Sequence, residues 1–252
     1  MTLDEQFKMV EQELLSTPLK FTHQQLISVI DLTLLNLDAT PSDIIALGKK
    51  AHDYEVAAVC VYPQHLDLLP ANLRLTRAAV VNFPTGDESK SHVINEIHQI
   101  AAQHPVDEID YVFPYKAYLQ GQQDLALEHC YAASAECKQH GLIFKVILET
   151  GAFDSSDQIY NVSQQIIHSG CDFLKTSTGK IQPGATLPAA FAMLSAIKYS
   201  QKSCGIKFSG GIKTPEQAYS CAKLAQYILK KTPEKSWFRL GASGLLDALS
   251  CE

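Results

Sequence analysis

Short apolar runs alternate along this chain with longer stretches in which apolar positions recur every three or four residues. The first pattern suits a strand buried on both faces, and the second an amphipathic helix laid over it. Eight strand candidates result, at residues 29–32, 57–61, 78–82, 108–112, 143–149, 173–175, 205–209 and 238–240. The stretches between them carry helix signals. Pro41 and Ser42 precede Ile44, Ile45 and Leu47; Thr214 and Pro215 precede Ala218, Ala222 and Leu224. Gly170 and Gly205 stand where a helix hands over to a strand. Ahead of the first strand, Leu3, Phe7, Val10 and Leu14 predict an amphipathic helix packed across a barrel end.

Eight βα units in 252 residues predict an α/β fold, a single (β/α)8 TIM barrel with an extra N-terminal helix. The expected organisation is one domain over 1–252, with a helical segment at 1–28 and the barrel at 29–250. An open doubly wound sheet is the alternative. No G-x-G-x-x-G follows the first strand and no G-x-x-x-x-G-K-[ST] occurs, so nucleotide-binding folds lack their usual mark.

Charge removes further classes. A formal net charge of −6 and a sequence pI near 5.8 argue against a nucleic-acid groove, which needs dense Lys/Arg, but leave room for a small phosphorylated metabolite. Asp4, Glu5, Glu11 and Glu13 occupy the region where a secretory signal would be basic and then apolar. No run of eighteen apolar residues exists, so a soluble, cytoplasmic protein without membrane contact is expected. The seven cysteines are scattered without a C-x-x-C pair, which reads as reduced thiols and no zinc site.

Strand alternation places the charges that remain. Glu108, Asp110 and Val112 share one face; Ile109, Tyr111 and Phe113 share the greasier one, which belongs against helices. Asp110 therefore points into the barrel. The same count turns Lys145 away from Phe144 and Val146, Lys175 from Leu174, and Lys207 from Ile206 and Phe208, giving four inward charges with the lysines near the C-terminal ends of their strands. Buried charges survive as a compensating lattice, here Asp110 and Glu149 with three lysines, or as an active site. Position at the strand ends favours the active site.

Lys175 and Lys207 lie on adjacent strands. At ~5–6 Å and an effective dielectric near 20, two ammonium groups repel by about 3 kcal/mol. That is about two pKa units, so one free amine is expected near neutral pH. A free amine condenses with a carbonyl to an imine, an electron sink for C–C cleavage. Directly after Lys175 comes the hydroxyl-rich loop Thr176-Ser177-Thr178-Gly179-Lys180. Gly179, Gly210 and Gly211 let backbone N–H groups approach an anion, Thr178 and Lys180 add a hydroxyl and a charge, and Ser243 opens the final helix. These loops follow strands six, seven and eight, where barrels seat phosphate.

Asp31-Leu32-Thr33, Asn82-Phe83-Pro84, Glu108-Ile109-Asp110-Tyr111-Val112-Phe113-Pro114-Tyr115, Lys145-Val146-Ile147-Leu148-Glu149-Thr150-Gly151, Lys175-Thr176-Ser177-Thr178-Gly179-Lys180, Lys207-Phe208-Ser209-Gly210-Gly211 and Arg239-Leu240-Gly241-Ala242-Ser243 run in order over nearly the whole chain. Together they resemble the deoxyribose-phosphate aldolase family, and Lys175-Thr176-Ser177-Thr178-Gly179 is the most specific piece. The resemblance implies a class I aldolase without cofactor or metal that interconverts 2-deoxy-D-ribose 5-phosphate with D-glyceraldehyde 3-phosphate and acetaldehyde in deoxyribonucleotide catabolism. It implies Lys175 as the Schiff-base lysine, Asp110 and Lys207 in proton transfer, and a homodimer; beside these, Lys145, Asp31 and Cys60 are read as support, with a plain buried thiol the default for Cys60. Another imine-forming sugar-phosphate aldolase or transaldolase, or a non-catalytic sugar-phosphate-binding barrel, is the alternative.

Three departures qualify the resemblance. Phe208-Ser209 stands where Pro-Ala is familiar, and Gly244 where a second serine is common, which removes one expected phosphate contact. The sequence stops at Cys251-Glu252 without the tyrosine-ended tail of many relatives, which puts the proton transfer on Asp110 and Lys207.

Overall fold

Each of the eight apolar runs forms a parallel strand, and the eight close into a barrel in chain order, β8 pairing back onto β1. The computed structural model describes residues 2–16 and 21–250; Cys251, one of the seven thiols, lies outside them. The chain begins with α1 (Leu3–Ser16) and α2 (His23–Ile27), then β1 (Ile30–Thr33), α3 (Pro41–Asp53), β2 (Ala58–Val61) and β3 (Arg77–Val81). The next elements are α4 (Lys90–Gln103), β4 (Glu108–Val112), α5 (Tyr115–Leu119), α6 (Gln123–Gln139) and β5 (Ile143–Ile147). The last third holds α7 (Ser156–His168), β6 (Phe173–Lys175), α8 (Leu187–Ser200), β7 (Gly205–Ser209), α9 (Pro215–Leu229), β8 (Phe238–Ala242) and α10 (Leu245–Ser250). This is a (β/α)8 TIM barrel.

One unit lacks its helix. Between β2 and β3 a 3-10 turn, Pro63–Leu68, replaces it. The helix starts are capped one residue before the prolines. Thr40 and Thr214 form capping boxes with Asp43 and Gln217, supplying the first amides with acceptors.

Two differences from the sequence pattern have a local physical cause. β5 stops at Ile147, two residues before the apolar run does, because Glu149 turns left-handed at φ 57°. Gly205 is not a helix stop; the left-handed residue ending α8 is Gln201, and Gly205 begins β7. Its lack of a side chain serves packing instead. A Cβ there would sit 2.5 Å from the Phe173 ring and 2.6 Å from the Trp237 carbonyl oxygen.

The apolar core lies mainly between sheet and helices. Tyr111 faces α6, with its ring stacked on His129 at 5.8 Å, and Phe208 meets Phe238 at 5.6 Å on the outer side of β7 and β8. Outward aromatic and branched residues thus leave the alternate positions pointing inward. The amphipathic stripe of α1 packs on the outer helices α7, α8 and α9, with Phe7 against Phe191 at 5.7 Å. No helix among the described residues is long and apolar enough to cross a membrane.

Gly205→Ala is expected to lose about 1–3 kcal/mol of unfolding free energy, since the extra methyl overpacks a rigid strand junction. Urea denaturation would register this as a lower midpoint with an unchanged slope, and an unchanged midpoint would contradict the close approach of Phe173 and Trp237.

Candidate active site

Alternation carries Asp31, Glu108, Asp110, Lys145, Lys175, Lys207 and Arg239 into the barrel, and all seven are buried. Register then brings them together. Asp110 pairs with Lys145 across β4–β5, Lys175 with Lys207 across β6–β7, and Lys207 with Arg239 across β7–β8. The Asp110 carboxylate is the hub. Its Oδ1 accepts from Lys145 Nζ at 2.7 Å, and its Oδ2 accepts from both Lys175 Nζ and Lys207 Nζ, each at 2.7 Å.

The remaining acids complete the network. Glu108 Oε2 lies 2.5 Å from Lys145 Nζ, and Asp31 Oδ2 lies 2.5 Å from Lys207 Nζ. Arg239 ties these two carboxylates together, its Nη1 reaching Asp31 Oδ1 at 2.6 Å and its Nη2 reaching Glu108 Oε1 at 2.9 Å. Sequence reasoning had Asp31 only as support and missed Glu108 and Arg239 as partners. Arg239 was findable, since Phe238 and Leu240 flank it with outward side chains just as Ile206 and Phe208 flank Lys207.

Burial alone would push both Asp31 and Asp110 up, towards the neutral acid. The surrounding cations outweigh it: Arg239, Lys207 and Lys145 for Asp31, and Lys145, Lys175 and Lys207 for Asp110. Both carboxyls are held well below the usual range. In return, Lys207 is held above the ordinary lysine value by Asp110 and Asp31, against the opposing effect of burial, so it stays a cation. The expected bare repulsion between Lys175 and Lys207 is therefore corrected, because the Asp110 oxygen lies against both ammonium groups. What sets Lys175 apart is its partners. Four basic side chains face three carboxylates, and Lys175 has the fewest ion-pair partners of the four, Asp110 alone.

Depth separates the lysines. Lys175 is the last residue of β6, at the C-terminal mouth, whereas Lys145 and Lys207 are central in five-residue strands and not near their ends as expected. β2 and β3 supply the other side of the interior with the short apolar groups Cys60, Ala78 and Val80. Cys60 Sγ stands 3.8 Å from Asp110 Oδ2, and burial together with the Asp110 charge pushes its thiol up, so it remains neutral.

Glu149 does not join the lattice of lysines. It accepts from the backbone N–H of Thr178 at 3.2 Å and from the Thr178 hydroxyl, and so holds the loop after β6. Burial pushes its carboxyl up. Thr176 binds that loop to β7, its Oγ1 donating to the Ser209 carbonyl at 3.0 Å and accepting from the Ser209 N–H at 2.9 Å. The hydroxyls of Ser177 and Thr150 are buried without a hydrogen-bond partner among the described residues.

Gly179, Gly210 and Gly211 all take positive φ, near 79°, 88° and 89°, and the first two pack so closely that a Cβ on Gly210 would be 3.3 Å from the Gly179 Cα. Ser243 follows β8, which runs in register beside β7 through Ser209 and Gly241, and it is exposed ahead of α10. Lys180 follows Gly179 in the same loop. Its Nζ donates to the Leu35 carbonyl at 2.7 Å and bridges the mouth from the β6 loop to the β1 loop. The Phe208 departure lies in the outer packing, away from the charges.

A (β/α)8 barrel with a lysine amine at the end of a strand, against a carboxylate and a second lysine, defines the class as an aldolase of the barrel type. Comparison gives the family: residues 25–246 match the model for DeoC/LacD family aldolases, and the chain belongs to that family. It is 40% identical over 228 residues to a deoxyribose-phosphate aldolase of Agrobacterium fabrum, covering 88% of this chain and 87% of that one. A crystal structure described as a candidate deoxyribose-phosphate aldolase from Coccidioides immitis superposes with a TM-score of 0.79 at 26% identity, over 96% of both chains. A tetrameric deoxyribose phosphate aldolase from Aeropyrum pernix shares the fold at a TM-score of 0.78 and 24% identity, over 91% of both chains.

Arg239→Met should lower stability by about 3 kcal/mol, because two buried carboxylates lose a partner. The pH signature follows from sign. A carboxyl whose folded pKa is depressed contributes stability above its unfolded value near 3.9, and that contribution is lost as pH falls through the folded value. Without Arg239 the Asp31 value rises, so the acid unfolding midpoint should move to higher pH. An unmoved midpoint in acid titrations followed by circular dichroism would exclude the coupling.

Proposed function

We propose that this aldolase reversibly cleaves 2-deoxy-D-ribose 5-phosphate to D-glyceraldehyde 3-phosphate and acetaldehyde through an imine on Lys175. The observation that carries the proposal is Asp110 Oδ2, 2.7 Å from both Lys175 Nζ and Lys207 Nζ at the barrel mouth. The free amine of Lys175 adds to the aldehyde carbon of the open-chain sugar, and loss of water gives a protonated imine. Removal of the proton from the C3 hydroxyl lets the C2–C3 electron pair flow into the imine, which releases the three-carbon aldehyde and leaves an enamine. Protonation at C2 and hydrolysis then free acetaldehyde and the amine.

Asp110 and Lys207 serve the proton transfers through water, an ionised base and a permanent acid held side by side. Lys145, Asp31, Glu108 and Arg239 position that pair without needing to touch substrate. The phosphate sits over the amides of Gly179, Gly210 and Gly211 and beside Ser243, with Thr178 shaping the loop and Lys180 contributing charge. The short apolar side chains of Cys60, Ala78 and Val80 leave space for the two-carbon fragment. A single barrel domain acting as a cytoplasmic homodimer, without metal or cofactor in the reaction, belongs to the same proposal.

Acetaldehyde with borohydride should inactivate the protein and leave one ethyl group, mapped by peptide mass spectrometry to Lys175. Asp110→Asn should keep that label while kcat for C–C cleavage falls by about 10²–10⁴, the usual contribution of a positioned proton carrier. A label on Lys207 or Lys145, or near-normal cleavage by Asp110→Asn, would sink the assignment.

Ser243→Asp places a carboxylate against the phosphate seat. The KM for deoxyribose 5-phosphate should rise far more than that for unphosphorylated deoxyribose, and equal effects on the two substrates would move the phosphate elsewhere.

A further inference from the structure

Outside the barrel, on its helical layer, three side chains with metal-binding atoms converge. His98 comes from α4; Glu136 and His140 come from the end of α6, one helical turn apart. His98 Nδ1 lies 3.2 Å and His140 Nε2 lies 3.0 Å from one oxygen, Glu136 Oε1, and the three candidate ligand atoms are all within 4.8 Å of one another. The two imidazole rings meet edge to face with centroids 5.2 Å apart. None of the three residues belongs to the charge network around Asp110.

We propose that His98, Glu136 and His140 form a binding site for one divalent transition-metal ion of the zinc type, clasping α4 to α6. Zinc takes imidazole nitrogens and a carboxylate oxygen at about 2.0–2.2 Å in a tetrahedron, which sets neighbouring ligand atoms roughly 3.3 Å apart. The two Glu–His separations already match. The remaining closure is between the two nitrogens, and the side chain free to make it is His98, 60% exposed against 26% for His140 and 12% for Glu136.

The α6 half of the site is preformed. Glu136 and His140 are joined through the side-chain contact and through the backbone, where the His140 N–H donates to the carbonyls of Glu136 and Cys137 at the last turn. On binding, each ring turns the lone pair of the contacting nitrogen to the metal and carries its proton on the other nitrogen, and Glu136 exchanges two N–H partners for one metal bond. Water completes the fourth position. Two imidazoles with a single carboxylate suit zinc, nickel or copper over magnesium or calcium, which require mostly oxygen ligands. The sequence shows only Glu136 and His140 at helical spacing; His98, 38 residues away, reaches them through the packing of α4 on α6.

The test uses the full-length chain without a polyhistidine tag, stripped with EDTA and dialysed, then titrated with zinc chloride in a calorimeter. One equivalent should bind to the wild type. His98→Ala, Glu136→Gln and His140→Ala should each weaken binding by more than about a hundredfold, beyond the roughly ten- to hundredfold that losing a mere supporting group costs. His92→Ala is the control, since His92 lines the same surface hollow without contributing a ligand, and it should bind as the wild type does. Zinc at about a hundredfold over its wild-type Kd should raise the wild-type Tm by about 5 °C and that of each ligand variant by no more than about 1 °C. Cleavage of deoxyribose 5-phosphate should be the same with and without zinc, and in all four variants, so a failure here is distinct from a failure of the active-site assignment. No binding to the wild type, or equal binding in the wild type and all three ligand variants, would overturn the proposal.

Discussion

The Asp110 carboxylate is the constraint on which the barrel interior depends. One buried group accepts from three lysines, and it and the ammonium groups of Lys145 and Lys207 hold one another in the charged form. Burial alone would neutralise the acid and the amines alike, so neither could stay ionised alone. A barrel interior is ordinarily filled by layers of branched apolar side chains. Here β4 to β8 and β1 give that volume to charges, while β2 and β3 keep it small and apolar with Cys60, Ala78 and Val80. Hydrophobic stabilisation is accordingly shifted outward, to the layer where Tyr111, Phe144, Phe208 and Phe238 meet one another and the helices. That shift lets the interior be chosen for charge rather than for packing.

What the sequence revealed and what it hid follow from the range of each rule. Strand alternation is local, so Asp110, Lys145, Lys175 and Lys207 could be turned inward from their neighbours alone. Partner choice is not local. Asp31 and Arg239 are 208 residues apart yet in contact, and only barrel closure through β1 and β8 puts them there. Glu149 fails for another reason. The alternation was carried two residues beyond the real end of β5, past a left-handed turn after which parity means nothing, and the carboxylate swings to the Thr178 loop. Lys180 shows the limit for loops, where no period exists and the contact of its ammonium with the Leu35 carbonyl could not be read from spacing.

The loops after β6 and β7 are organised by the same economy of partners. Thr176 saturates the backbone of Ser209 as both donor and acceptor, and Gly184 approaches Gly210 so closely that a Cβ on it would lie 2.3 Å from the Gly210 carbonyl oxygen. Little freedom remains for the segment that would seat an anion. Glu149 adds a buried acceptor beneath Thr178, and the hydroxyls of Ser177 and Thr150, unpaired among the described residues, have hydrogen-bonding capacity to spare. Rigid backbone with a few unfilled hydrogen bonds is the arrangement that binds a polar ligand without an ordering cost.

Chemistry alone does not distinguish the three lysines; height in the barrel does. Lys145 and Lys207 are central in their strands and each contacts at least two carboxylates, so neither can leave its place without stranding buried charge. Lys175 ends its strand, has one carboxylate partner and stands nearest the mouth. Its backbone is nevertheless locked on both sides, because its carbonyl accepts from Leu148 and the following Thr176 N–H donates to Lys207. A side chain that can exchange its partner, on a backbone that cannot move, is what covalent attack on a carbonyl requires. The deeper lysines supply the opposite property, fixed charge, and the proposed division between nucleophile and proton-transfer apparatus is in this sense a consequence of where each strand ends.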